Sequence, residues 1–84
     1  MTHTTEITET ILGTSRDTLG LPDLQPGDDF FDHGVSSLAI VELQIRIEAQ
    51  LQLKVPTSQL MAAPSVDGWA RAYLTTAAAA TVPQ

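Results

Sequence analysis

The chain of 84 residues contains no cysteine. It therefore has no disulfide to staple a small core and no thiol of its own to act as nucleophile or metal ligand, a composition that fits a reducing compartment. Basic residues are nearly as scarce. Arg16, Arg46, Lys54 and Arg71 stand scattered against ten acidic residues, for a formal charge of −6. Nucleic-acid binding requires clustered basic groups and is disfavoured. An acidic surface keeps a small domain soluble and suits docking onto basic patches of partner proteins. No stretch approaches the length of a membrane span, and no basic segment followed by an apolar run opens the chain. The expectation is a cytoplasmic protein that engages neither membrane nor nucleic acid. Its length allows one domain, near the size where a single core is only just sufficient.

What the chain does have is helical periodicity, with no strand pattern and no internal repeat. A first helix is expected from Thr5 to Leu19, carrying Ile7, Ile11, Leu12 and Leu19 at helical spacing. Gly13 weakens its interior by about 1 kcal/mol relative to alanine. Gly20, Leu21 and Pro22 form a stop: a left-handed residue, an apolar contact and a residue that forbids continuation. Residues 21–36 then form a loop long enough to need pinning, for which Leu24, Phe30 and Phe31 are the candidates. A second helix is expected from Ser37 to Leu51, and a short third helix or turn from Thr57 to Ala62. The fourth starts behind Pro64 with Ser65 as its cap and carries Val66, Trp69, Ala70, Tyr73 and Leu74 on one face. From Thr75 onward there is little to pack, so fraying is expected. The domain reading is a flexible segment 1–4, a folded domain 5–76 and a flexible tail 77–84. Core positions expected are Ile11, Leu19, Phe31, Leu43, Ile47, Trp69 and Leu74.

The second helix carries two apolar stripes. Ile40, Leu43, Ile47 and Leu51 share one narrow sector, and Leu38, Val41 and Ile45 share another roughly 150° away, flanked by Glu42 and Glu48. One stripe must bury the helix. The other is either covered by the loop and the third helix or faces outward as a partner-docking surface. Leu38 is expected to be the most buried of its three.

Between the long loop and this helix lies Phe30-Phe31-Asp32-His33-Gly34-Val35-Ser36-Ser37-Leu38. A serine here can cap the helix. It can also stand exposed on the first turn, where free N–H groups and the positive end of the macrodipole favour a phosphate. Other chemistry is poorly supported. His33 offers a base near Ser37, but no third group orients it and the domain is too small to enclose a substrate, so no catalytic residue is assigned. Asp28, Asp29 and Asp32 lack the spacing and terminal glutamate of a calcium loop and read as a solvated acidic loop, with no metal.

The stretch resembles the attachment site of acyl and peptidyl carrier proteins, in which an aromatic-acidic lead-in precedes Gly-x-Asp-Ser-Leu and then Val-x-Leu. Here it reads Gly34-Val35-Ser36-Ser37-Leu38 and Val41-Glu42-Leu43. The resemblance runs from about Thr5 to Thr76 and takes in Leu19-Gly20-Leu21, Asp28-Asp29-Phe30-Phe31 and Ala63-Pro64-Ser65-Val66. It implies an all-α four-helix bundle with a short third helix and a long loop between the first two. It also implies a covalent 4′-phosphopantetheine, derived from coenzyme A, on Ser37. Ser36 stands where the family has aspartate; it keeps the capping capacity but not the charge.

The resemblance further implies a protein that performs no chemistry itself. A phosphopantetheinyl transferase modifies it. A loading enzyme, an adenylating ligase or an acyltransferase, charges the thiol with an acyl, aminoacyl or peptidyl thioester. A downstream acyltransferase or synthase then collects the cargo. Partner contacts are expected at Leu38, Val41, Glu42, Ile45 and Glu48. Opening with Met1 and ending soon after the fourth helix, the chain reads as a discrete monomer acting in trans. Arg46 moderates the acidity of the second helix, which inclines the reading toward polyketide or nonribosomal peptide assembly of the antibiotic kind. Two rivals stand beside it: a carrier-like interaction module that is never modified, and a small thioesterase or transferase with His33 as base.

Overall fold

A computed structural model describes residues 2–80, with the side chains of 5–79. Among them it contains four α-helices and no strand: α1 (Thr2–Leu19), α2 (Ser37–Leu51), α3 (Thr57–Ala62) and α4 (Val66–Ala80). A single 3-10 turn, Phe30–His33, interrupts the loop between α1 and α2. α1 packs against both α2 and α4, and α3 packs against α4 and α2. The expected all-α bundle with a short third helix is what forms.

Each boundary has a local cause. α1 ends where Gly20 takes the left-handed conformation (φ 67°). Leu21 N–H then donates back to Arg16 O at 3.0 Å, satisfying a carbonyl that the helix would leave orphaned. α1 begins three residues before the expected Thr5. Ser65 caps α4: its Oγ accepts from Gly68 N–H at 3.0 Å and its carbonyl from Trp69 N–H at 2.9 Å. α4 is helical past Thr75, as far as Ala80. The alanines there have the highest helix propensity of any residue and extend a turn already nucleated by packing. The remainder of the expected tail, 81–84, lies outside the described residues.

The core gathers Ile7, Ile11, Leu24, Phe30, Ile40, Leu43, Ile47, Val55, Leu60, Val66, Trp69 and Tyr73. Trp69 is fully buried, as expected; its Nε1–H donates to Leu60 O at 3.0 Å and its ring meets Phe30 edge-on at 5.3 Å. Leu19 and Leu74 are partly buried and pack against this core. Phe31 corrects an expectation. It is 40% exposed, and Phe30 is the phenylalanine that fills the core. In a 3-10 turn consecutive side chains diverge by about 120°, so only one of the pair can face the bundle.

The long loop is held at both ends. Arg16 donates two hydrogen bonds to Leu24 O, at 2.9 and 2.7 Å, while Leu24 itself is buried. Further on, Phe30 N–H donates to Pro64 O at 2.8 Å and Asp67 N–H donates to Pro26 O at 2.9 Å. The segment leading to the paired serines is thus fixed to α1 and to the start of α4.

Candidate functional site

The approach to the serines is a chain of local turns. Asp29 Oδ1 accepts from Phe31 N–H at 2.7 Å and opens the 3-10 turn. Gly34 closes it in the left-handed conformation (φ 79°), its N–H donating to Phe31 O at 3.0 Å. A side chain at position 34 would be strained in that conformation. The chain then extends through Val35 into Ser36, whose φ of −81° and ψ of 162° are those of an N-cap. Ser36 Oγ accepts from Ala39 N–H at 3.1 Å, and its carbonyl accepts from Ile40 N–H at 3.1 Å.

The two adjacent hydroxyls therefore differ in kind. Ser36 is engaged in the cap. Ser37 is the first helical residue, is exposed, and makes no side-chain hydrogen bond among the described residues. The free N–H groups of this first turn lie beside it, next to the positive end of the helix.

His33 does not serve Ser37. Its Nε2 lies 3.3 Å from Asp28 Oδ2, the pair being about one-third exposed. Asp28 Oδ2 also accepts from Gln25 N–H at 2.9 Å. That backbone donor, with His33 adding to it, holds the Asp28 carboxyl below the usual aspartate range. The acidic residues of the loop do not converge: no group of three or more metal-binding side chains occurs among the described residues. Asp28 and Asp29 are instead spent on loop geometry.

Along α2 the two stripes separate as faces. Ile40, Leu43 and Ile47 are wholly buried. Leu38, Val41 and Ile45 are 74%, 36% and 64% exposed. Leu38, expected to be the most buried of its stripe, is the most exposed, because it sits on the first turn where no other element packs over it. Glu42 and Arg46 are exposed on the same side of the helix and form no ion pair.

Glu48 departs from its expected place at the rim. Its Oε2 accepts from Val55 N–H at 3.0 Å, from Tyr73 OH at 3.0 Å and from Gln44 Nε2 at 3.1 Å. Gln44, itself buried, also donates to Val55 O at 2.9 Å and accepts from Thr57 OH at 2.7 Å. Burial and the Glu48 carboxylate push the Tyr73 phenol well above the usual tyrosine range. Glu48 is a clamp between α2, the segment before α3 and α4. Nothing in the spacing of α2 distinguishes it from Glu42; the signal lay in Tyr73, a hydroxyl-bearing aromatic on an otherwise apolar face.

An exposed, unbonded serine on the first turn of a helix, beside an uncovered apolar face, fits a covalently held phosphate-bearing group. Such a group gains N–H donors at one end and leaves its far end in solvent. The scan of protein-family models matches residues 9–73 to the phosphopantetheine attachment site. No curated protein and no solved structure matches the chain. No helix among the described residues is long and apolar enough to cross a membrane. With the match covering most of its length and the helical bundle agreeing, the chain belongs to the acyl and peptidyl carrier protein family, whose domains carry 4′-phosphopantetheine.

Proposed function

We propose that Ser37 is the attachment serine and that the protein carries acyl, aminoacyl or peptidyl intermediates as thioesters in polyketide or nonribosomal peptide assembly. One observation carries the choice of serine: Ser36 Oγ is held by Ala39 N–H, whereas Ser37 Oγ is exposed and unbonded. When attached, 4′-phosphopantetheine supplies the terminal thiol that the cysteine-free chain lacks. The protein's own part is to hold that group and to be recognised. Ser36 fixes the first turn, and the Asp28–His33 and Arg16–Leu24 contacts fix the loop before it. The chain is read as a carrier that catalyses nothing, with the folded domain at 5–76.

Leu38, Val41 and Ile45, with Glu42 at their edge, form the proposed surface for the transferase, the loading enzyme and the enzyme that collects the cargo. An apolar patch exposed on so small a domain, rimmed by a charge, suits such partners. The preference for specialised assembly rests on Arg46, which lies on the same helix as Glu42 and lowers its acidity, and on the serine pair.

Incubation with a broad-specificity phosphopantetheinyl transferase and coenzyme A tests the assignment. The protein gains one phosphopantetheinyl mass, Ser37→Ala abolishes the gain, and Ser36→Ala retains it. A modified peptide mapping to Ser36 would overturn the choice of serine. A chain that gains no mass would be the unmodified interaction module, a reading favoured only by the missing aspartate at position 36.

A further inference from the structure

The last turn of α1 and the segment delivering Ser37 enclose an open groove. Leu19, Leu21, Val35 and Ala39 give it apolar walls, and Thr18 and Ser36 give it polar ones, with His33 also lining it. Thr18 Oγ1 is buried and has no hydrogen-bond partner among the described residues. Hydroxyls so placed are nearly always bonded. A helical threonine ordinarily satisfies itself on a carbonyl three or four residues back, yet Thr18 makes no such bond.

We propose that this groove seats the protein's own prosthetic arm when no enzyme holds it, with Thr18 as the hydrogen-bond partner. The inference rests on the reading that Ser37 carries the arm. The chemistry on the two sides corresponds: the arm alternates a geminal dimethyl group and short methylene runs with two amides. Apolar walls at Leu19, Leu21 and Val35 take the former. The Thr18 hydroxyl, turned outward by rotation about χ1, takes an amide.

The rival track runs down α2 on Ser37's own flank, past Val41 toward α3. There the buried and half-buried polar side chains of α2 are already engaged, Gln44 by Val55 and Thr57, and Glu48 by Val55 and Tyr73. Among the described residues no buried, unpartnered side-chain group lies on that side. Thr18 is such a group on the groove side, and Ser36, the residue next to the attachment point, is part of the same groove wall. Ser37 and Ala39 lie about 160° apart around α2, so the arm enters over the helix's N-terminal end. Because the arm is tethered, its effective concentration at the groove reaches the millimolar range. A contact too weak to bind free pantetheine therefore suffices, and it remains weak enough for a partner enzyme to displace.

The test compares backbone amide shifts and methyl contacts of the unmodified and modified protein, after intact mass and peptide mapping have established the product. Modification is expected to shift the amides of Thr18, Leu19 and Leu21, remote in sequence from Ser37, and to bring the dimethyl protons close to the methyls of Leu19 and Val35. Thr18→Val keeps the shape and removes the hydroxyl. It should take up the arm at the normal rate while the docked-to-free ratio falls about fivefold, the loss of one neutral hydrogen bond. Thr18→Ser should restore it. Modification at Ser37 with shifts confined to residues 35–39, or contacts to Val41 and Thr57, would overturn the groove while leaving the attachment intact. No mass gain, or a gain mapped elsewhere, would overturn both.

Discussion

The two faces of α2 are built from the same residue types and meet opposite fates. Ile40, Leu43 and Ile47 are buried, while Leu38, Val41 and Ile45 stand in solvent. Isoleucine and leucine occur on both, so hydrophobicity alone does not decide. What decides is supply. α1 covers one face, α3 and the segment before it close its border where Glu48 and Gln44 meet Val55, Thr57 and Tyr73, and the stripe of Leu38, Val41 and Ile45 is left uncovered. An uncovered stripe of this kind is a standing cost in solubility, retained where a partner uses it. The difference between the faces thus separates what holds the fold from what meets the outside.

The sharpest way to break that separation is to truncate the covered face. Ile47→Ala should cost about 2–5 kcal/mol, because it removes buried methylenes and leaves a cavity. Against the few kcal/mol that hold so small a domain, that is a large share. An unchanged melting midpoint would mean that the face is not core. Next in size is the opposite experiment. Ile45→Asp should leave stability within about 0.5 kcal/mol of the parent. Cargo transfer by the genuine partners should nonetheless fall by the equivalent of about 2 kcal/mol, the loss expected for an interface anchor. A collapsed midpoint would place Ile45 in the core after all. An intact midpoint with intact transfer would move the docking surface elsewhere.

The border between the faces is tested through Tyr73, whose hydroxyl meets Glu48. Its phenol is raised in the folded protein, whereas the unfolded chain ionises near the ordinary tyrosine value of about 10. The folded state therefore keeps a proton that the unfolded state releases. This contribution is complete below pH 10 and is lost as pH climbs above it. Tyr73→Phe should lower the midpoint at neutral pH by the equivalent of about 1 kcal/mol and flatten the alkaline decline. Equal slopes in both proteins would show that the clamp is not formed in solution. Smallest of all, Glu42→Lys on the open face should leave the midpoint alone and change only the rate at which partners associate. That effect should fade as salt rises, as befits a rim charge.

Much of this architecture was legible because punctuation residues act locally. Gly20, Ser36, Pro56 and Ser65 mark element ends through their own backbone or side-chain chemistry, and the structure places ends at or beside each. The exposed serine on the first turn of α2 was legible for the same reason. Phe30 and Phe31 were not, since adjacent aromatics carry no period and only the register of a short turn chooses between them. The inward turn of Glu48 was invisible as well. Its donors come from Val55 and Tyr73, brought together only by the tertiary fold. Ser15 was equally hidden: it lies fully buried on α1, in line with Ile7 and Ile11, with its Oγ unpartnered among the described residues, and nothing in the apolar spacing points to it.

The Glu48 clamp also bears on how the molecule assembles. Its donors sit 4, 7 and 25 positions away along the chain. A carboxylate withdrawn from water before the last of them arrives is poorly compensated, so half-formed arrangements of α2 and α4 are penalised relative to the complete one. On the proposed reading, several unrelated enzymes meet the open face of α2 in turn. Because one carboxylate is satisfied only when three parts of the chain are in register, loosening at any one of them weakens the contacts of the others. A domain tied in this way is expected to loosen as a unit rather than piece by piece, and so to offer each enzyme the same shape.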